Sequence, residues 1–216
     1  MNEEKIIEQI KLKKDINELA NQIIKNPKLI EVLITAIDNE KGSIKFGCEK
    51  IVRLVSEKKP ELVYPYFDFL VKFLDSENNF IKWGAVVSLS NLCRVDSKKQ
   101  FEKIFNKYYA PITGPIMVTA VNIVGNSWKI AQAKPELIDR IVEEILKIEK
   151  AKYEYKGELS PECNNVVCGH AIESFDKIFE KIKNQKKIMA FVKRQLNNSR
   201  PSVRKRAEKF MKKWFH

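Results

Sequence analysis

Three residues in the C-terminal half could hold a metal ion, because Cys163, Cys168 and His170 form a C-x4-C-x-H cluster. Thiolates and imidazoles are ligands of structural zinc, but such sites have four ligands and commonly contain closely spaced cysteine pairs. This cluster lacks a fourth ligand and the C-x2-C spacing. We therefore expect no metal or other cofactor, and whether the cluster does more than pack stays open. Cys48 and Cys93 lie among apolar residues at helical spacing and are interpreted as small core residues.

Catalytic motifs are absent from the sequence. It has two histidines, His170 and His216, and no nucleophile elbow, Walker loop, Rossmann glycine pattern or H-E-x-x-H motif. Acid–base and nucleophilic catalysis need such residues in defined arrangements. We therefore expect a protein that is not an enzyme.

The charge of the chain is concentrated at one end. The 216 residues carry a formal net charge of +12, and residues 181–216 contain thirteen Lys or Arg and one acid, Glu208. Over residues 1–180, acids and bases are equal in number. A cationic end predicts an anionic partner, such as nucleic acid, an acidic protein or a membrane surface. The alternative is a solvated polar cap on the last helices.

Nine residues of this basic segment are the candidate contacts to an anion. Those that bind phosphates would do so independently of sequence, and binding would weaken steeply with salt. The candidates are Lys193, Arg194, Arg200, Arg204, Lys205, Arg206, Lys209, Lys212 and Lys213.

The composition favours a helical globular protein. Apolar residues make up 44% of the chain, which is too many for a disordered protein, and seven Gly and eight Pro are few for an all-β fold. No apolar run approaches the roughly 18 residues that a transmembrane helix needs. Acids stand near the N-terminus, where a signal peptide carries positive charge. We therefore expect a soluble, cytoplasmic protein.

A short pattern recurs along the chain. Ile44–Cys48 and Ile81–Ala85 lie 37 residues apart and agree at four of five positions by identity or close similarity. Each copy has a branched aliphatic residue, Ala or Cys four positions later, and a large apolar residue four positions after that. This spacing puts all three on one face of an α-helix. The small residues are Cys48, Ala85, Ala120, Ala171 and Ala207.

The pattern predicts the second helices of a series of helix–turn–helix units. Pro27, Pro60 and Pro135 mark the starts of three preceding helices, because proline suits the first helical position. The second helices are expected near residues 43–58, 79–94, 115–132, 163–182 and 201–214.

Two departures from the regular spacing predict an insertion within the series of repeats and a shortened unit at its N-terminal end. The step of 51 residues between Ala120 and Ala171 predicts an insertion near residues 150–165. A weaker, truncated copy containing Ile16 and Ala20 predicts an N-terminal cap helix. Residues 181–216 form the basic C-terminal cap.

With these units, the chain resembles the HEAT repeat family. The likeness lies in Pro60-Glu61-Leu62 at the first helix, Asp75 in the turn and Ile81-Lys82-x-x-Ala85 in the second helix. It implies an all-α superhelix, a HEAT-like solenoid of the armadillo type, with about five two-helix repeats plus the cap helix. It further implies one domain over residues 1–216, with second helices lining a concave surface.

Residues two positions after each aliphatic anchor point about 200° away from it. In three consecutive repeats this position holds a large apolar residue, namely Phe46, Trp83 and Val118. In the last two repeats it holds Gly169 and Lys205. The first three predict an apolar groove that binds a partner helix or peptide. The alternative is that neighbouring helices bury them.

These features predict a non-enzymatic scaffold that mediates protein–protein interaction through its concave face. The first alternative is a nucleic-acid-binding module that uses the basic C-terminal end. A second follows from resemblance to HEAT-like alkylpurine DNA glycosylases, which are similar in size and basicity. That resemblance implies aromatic residues and an acid on a basic concave face. Trp83 and Trp128 are available, but the sequence suggests no acid paired with an aromatic residue at matching inner positions.

Overall fold

The computed structural model describes residues 3–215 of the protein. The chain divides into two compact units, Met1–Ile104 and Phe105–His216. That it forms one domain over residues 1–216 stays a prediction. Three residues of that predicted domain, Met1, Asn2 and His216, lie outside the described residues.

Unit 1 is a stack of short helices around an aliphatic core. Helix α4 packs against α2, α3 and α7 and buries residues such as Cys48, Ile51 and Val55. Their spacing of three and four positions is the apolar period of a helix that faces a core. The helices are α1 Glu3–Lys11, α2 Ile16–Lys25, α3 Leu29–Asn39, α4 Gly42–Lys58, α5 Pro60–Val63, α6 Phe67–Phe73 and α7 Asn79–Leu92.

Polar side chains fix the starts of several helices in unit 1. Asp15 caps α2, where one carboxylate oxygen accepts hydrogen bonds from the N–H groups of Asn17 and Glu18 at 2.8 and 2.9 Å. Asn78 caps α7 in the same way and accepts from the N–H of Phe80 at 3.0 Å. These bonds satisfy N–H groups that have no partner within the first turn of the helix.

Helix α8, Gln100–Tyr109, crosses the division between the units. In unit 2, α11 packs against both α9 and α13. The remaining helices are α9 Met117–Ala133, α10 Ile138–Leu146, α11 Pro161–Asp176, α12 Gln185–Gln195 and α13 Pro201–Trp214.

The insertion expected near residues 150–165 contains a β-hairpin. Strands β1, Glu154–Tyr155, and β2, Glu158–Leu159, pair antiparallel. Lys156 and Gly157 connect them with φ angles of +55° and +83°, the left-handed conformations that a tight two-residue hairpin turn requires. The buried Tyr153 anchors the hairpin, because its hydroxyl donates to the carbonyl of Ile112 at 2.7 Å.

The second helices lie close to their expected positions, with two differences. Helix α11 ends at Asp176, not near residue 182, and a 3-10 turn at Phe179–Lys181 follows it. The turn contains Phe179, which is buried and packs against Phe210 with ring centroids 5.0 Å apart. The N-terminal end has two helices, α1 and α2, where the sequence predicts one cap helix.

Candidate protein-interaction surfaces

Three aromatic side chains form an exposed cluster in unit 1, here named the aromatic patch: Phe46, Phe80 and Trp83. The Phe46 and Phe80 ring centroids are 5.6 Å apart, and those of Phe80 and Trp83 are 5.2 Å apart. Both pairs are edge-to-face, a favourable arrangement for aromatic rings. Phe80 is 63% exposed and Phe46 38% exposed, while Trp83 is half-buried.

Two helices position the patch by turning their aliphatic faces inward. In α4, Cys48 and Ile51 are buried, so Phe46 points outward. In α7, Ile81 and Ala85 are buried, which leaves Phe80 and Trp83 on the outer face.

The sequence predicted Phe46 and Trp83 as groove residues, and the structure brings them together through Phe80. Phe80 was missed because only the position two after each anchor was considered. Its signal is its spacing, since it lies three positions before Trp83 and therefore on the same side of the helix. The third predicted groove residue, Val118, is half-buried on α9 in unit 2.

A half-buried acid lies beside the aromatic patch. Gly84, next to Trp83, makes room for the Glu49 side chain, because a Cβ at residue 84 would lie 1.9 Å from Oε1 of Glu49. Glu49 accepts a hydrogen bond from Nε of Arg53 at 2.9 Å. Burial raises the pKa of the Glu49 carboxyl, and Arg53 opposes that shift.

Glu49 is a residue that sequence reasoning missed. The sequence suggested no acid paired with an aromatic residue at matching inner positions, and the structure places Glu49 against Gly84, the residue after Trp83. The available signal was the pair Gly47 and Gly84, which lie 37 positions apart and are therefore equivalent in the repeat, since a glycine within a helix allows close approach of a neighbouring side chain. Gly47 fits this interpretation too, since a Cβ there would lie 2.5 Å from Cγ2 of Ile10.

The basic C-terminal segment is largely occupied by contacts within unit 2. Four of its nine candidate contacts pair with carboxylates of preceding elements, and Arg204 donates to the carbonyls of Asn198 and Ser199 at 2.7 and 3.0 Å. The four ion pairs are Arg194–Glu149 at 2.7 Å, Arg200–Glu162, Arg206–Glu173 at 2.8 Å and Lys213–Asp176 at 3.0 Å.

The other four candidates are lysines exposed to solvent: Lys193, Lys205, Lys209 and Lys212. Within residues 3–215, none of them forms an ion pair or a side-chain hydrogen bond. The sequence could not separate these four from the other five, because pairing depends on which helix lies opposite.

A cleft of about 590 Å³ runs between helices α11 and α13 and is here named the α11–α13 cleft. Ile172 and Phe210 form its apolar floor. Its polar lining consists of Glu173, Asp176, Ser202, Lys205, Arg206, Lys209 and Lys213.

His170 lies in the ionic network beside this cleft. Its Nδ1 is 3.6 Å from a carboxylate oxygen of Glu173, which also pairs with Arg206. Burial lowers the pKa of His170 from its ordinary value, Arg206 lowers it further, and Glu173 opposes both. Gly169 permits this packing, because a Cβ there would lie 2.5 Å from a guanidinium nitrogen of Arg206.

The cysteine cluster has the properties of packed core residues. All four cysteines are buried, and within residues 3–215 none of them forms a disulfide bond. Burial raises the pKa of Cys168 to about 12, so its thiol is protonated at neutral pH. Within residues 3–215, no group of three or more His, Cys, Asp or Glu side chains is arranged to hold a metal ion.

Comparison with known proteins gives one curated relative and several structural neighbours. No family model matches the chain. Uncharacterized protein MJ0078 of Methanocaldococcus jannaschii is 28% identical over 120 residues, which cover 52% of this chain and 56% of that protein. The match therefore spans little more than half the length of this relative.

Two of the solved structures with similar folds are designed armadillo repeat proteins, and a third is an engineered protein. One designed armadillo repeat protein has a TM-score of 0.54 at 13% identity, covering 97% of this chain and 92% of its own. A second, in complex with the peptide (KR)4, has a TM-score of 0.53 at 14% identity, covering 91% and 85%. An engineered protein has a TM-score of 0.53 at 14% identity, covering 98% and 96%.

These similarities show the fold alone. The chain is an all-α solenoid of the armadillo and HEAT-like type, which confirms the predicted fold class. No helix in the described residues 3–215 is long and apolar enough to cross a membrane.

Proposed function

We propose that this protein is a non-enzymatic repeat scaffold that binds a segment of another protein through the aromatic patch. The observation that carries the proposal is the contiguous cluster of Phe46, Phe80 and Trp83 on neighbouring helices, in which Phe46 and Phe80 are exposed and Trp83 is half-buried. Clustered exposed apolar side chains mark interaction sites more often than scattered ones do. Aromatic residues are also enriched among those that dominate binding energy at interfaces.

The fold supports a peptide or a single helix as the bound segment. A designed armadillo repeat protein of similar fold has been solved with the peptide (KR)4 bound. In this chain the proposed surface is aromatic, and the carboxylate of Glu49, which lies against Gly84 next to Trp83, is already paired with Arg53. The expected ligand therefore has apolar anchor residues, unlike that basic peptide.

The test is a selection of peptides from a random phage-displayed library, using the full chain as bait. Affinities of the enriched peptides are then measured for the wild type, Phe80→Ala and Phe69→Ala. Phe69 is a matched control, since it is 44% exposed on α6 but outside the patch. We expect Phe80→Ala to weaken binding by about thirtyfold, the loss typical of a hot-spot residue, and Phe69→Ala to change it little.

Two outcomes would contradict the proposal. One is a selection that enriches no peptide, and the other is equal binding to wild type and Phe80→Ala. Trp83→Ala and Phe46→Ala extend the test. If both variants unfold, these side chains belong to the core and the groove hypothesis fails.

The absence of enzymatic activity is part of the proposal, and the glycosylase alternative is its direct competitor. The observation that favours this alternative is the position of the Glu49 carboxylate against Gly84, next to Trp83. We expect no abasic sites when alkylated duplex DNA is incubated with the protein and then cleaved by alkali. Cleavage that is lost in Glu49→Gln would establish the glycosylase instead.

The nucleic-acid alternative and the cytoplasmic location stay predictions. The four unpaired lysines favour an anionic ligand at the C-terminal end, but fewer cations are available there than the sequence suggests. A protein that neutralises six phosphates loses roughly a thousandfold in affinity between 50 and 200 mM salt. With four free lysines, a shallower salt dependence of duplex DNA binding is expected.

A further inference from the structure

The α11–α13 cleft carries positive charge that no group among the described residues of unit 2 neutralises. Both of its carboxylates are already engaged. Glu173 pairs with Arg206 at 2.8 Å, and Asp176 accepts from Lys213 at 3.0 Å and from Nε1 of Trp214 at 2.7 Å. Glu208, the only acid in the basic segment, does not line the cleft.

Lys205 and Lys209 supply the excess charge. Both line the cleft, both are exposed, and neither forms an ion pair within residues 3–215. They lie four positions apart on α13, so their Cβ atoms are about 6 Å from each other on the same side of the helix. Two cations at this spacing above an apolar floor favour a ligand with two matching anions.

We propose that the α11–α13 cleft binds an acidic segment of a partner protein, with carboxylates paired to Lys205 and Lys209. In an extended chain, alternate residues lie about 6.6 Å apart, which is close to the separation of the Cβ atoms of the two lysines. Carboxylates four positions apart on a helix match it equally. This surface belongs to unit 2 and is independent of the aromatic patch.

The lining favours carboxylates over a nucleic-acid backbone. Single-stranded nucleic acids are bound through cationic grooves combined with exposed rings on which bases stack. Here Phe210 is buried, and Trp214 packs on Phe179 at 5.1 Å while its Nε1 donates to Asp176. No exposed ring lines the part of this cleft that the structure describes.

The test measures fluorescence anisotropy of a labelled peptide with Glu at alternate positions, titrated with the full chain. Two further probes are a peptide with Lys at the same positions and an oligothymidylate of equal charge. The double variant Lys205→Ala/Lys209→Ala is compared with Lys183→Ala/Lys186→Ala. The control removes the same charge from exposed positions at and just before the start of α12, outside the cleft and not among the nine candidate contacts.

We expect Lys205→Ala/Lys209→Ala to weaken binding of the Glu peptide about tenfold, and the control to weaken it less than about twofold. The Lys peptide should not bind. Equal weakening by both double variants would overturn the proposal in favour of general charge attraction. Tighter binding of oligothymidylate than of the Glu peptide, lost in Lys205→Ala/Lys209→Ala, would overturn it in favour of nucleic acid.

Circular dichroism of each variant checks that helix content is retained. Should the double variant fail to fold, Lys205→Gln and Lys209→Gln are tested singly, since they keep side-chain length. Each is expected to weaken the Glu peptide by about threefold. Unchanged affinity in both would contradict the proposal.

Discussion

Units 1 and 2 each contain a cluster of aromatic rings, but only the cluster of unit 1 is exposed. Phe80 is 63% exposed beside Phe46 and Trp83. In unit 2, Phe210 is 2% exposed and packs against Phe179 at 5.0 Å. Similar residue types at helical spacing therefore have opposite environments, and ring content alone does not identify a binding surface.

The glycines on the second helices extend this comparison. Gly84 in unit 1 leaves room for a carboxylate, Glu49, whereas Gly169 in unit 2 leaves room for a guanidinium group, that of Arg206. In both cases the missing Cβ lets a charged side chain of a neighbouring helix lie close to the backbone. A glycine on a second helix thus lies beside the aromatic patch in unit 1 and beside the ionic network in unit 2.

The largest expected effect is on stability when one ring from each cluster is removed. Phe210→Ala should lower the free energy of unfolding by about 3–5 kcal/mol, because it leaves a cavity in a packed core. Phe80→Ala should lower it by less than about 1 kcal/mol, because most of the ring is already solvated. Urea unfolding followed by circular dichroism measures both. Equal losses would mean that the aromatic patch is structural.

A smaller effect is expected at Asp176, which links the buried cluster of unit 2 to the cleft. Asp176→Ala removes the acceptor of Trp214 Nε1 and the ion-pair partner of Lys213. The expected loss is about 1–2 kcal/mol, the cost of leaving a partly buried donor without a partner. Asp176→Asn is the matched control, as it keeps an acceptor for the indole. A loss equal to that of Asp176→Ala would assign the effect to the ion pair instead.

A still smaller effect is expected from the exposed ion pairs of unit 2. Glu173→Gln breaks the pair with Arg206. Both side chains of this pair are more than a third exposed. Such pairs contribute up to about 1 kcal/mol, and salt screens them. The difference in unfolding free energy between variant and wild type should therefore shrink at high salt. A difference independent of salt would point to packing.

The smallest effect concerns the protonation of His170. Because its pKa is lowered in the folded protein from the ordinary value of 6.5, the unfolded chain binds the proton more readily. The contribution of the neutral His170 side chain to the free energy of unfolding is therefore present above pH 6.5. It is lost as the pH falls from there through the pKa of the folded state. NMR titration of the imidazole should give a midpoint below 6.5.

Arg206→Ala sharpens this last prediction. The substitution removes a cation that lowers the pKa of His170 and frees Glu173, which raises it. The midpoint should therefore move upward in the variant. A midpoint that stays unchanged or moves downward would show that Arg206 does not act on the imidazole.

Much of the fold could be predicted because helical periodicity is local. The recurrence of Ile44–Cys48 at Ile81–Ala85 predicts the second helices α4 and α7, which span Gly42–Lys58 and Asn79–Leu92. The early end of α11 could not be predicted, since it depends on Phe179 packing against Phe210 across the unit.

The candidate surfaces could be predicted only in part. Phe46 and Trp83 were identified from their position opposite the aliphatic anchors, but Phe80, the most exposed ring of the patch, was missed. Glu49 was missed because its burial depends on a glycine of the next second helix, 35 positions away.

The sequence by itself determined the all-α repeat architecture and the concentration of positive charge in residues 181–216. Both are properties of the order of residues along the chain. Only the tertiary structure decided which cations are free, because Arg206 and Lys213 meet carboxylates of α11 while Lys205 and Lys209, on the same helix, do not. Exposure and charge pairing depend on which side chains lie opposite, and packing brings those together from distant parts of the sequence.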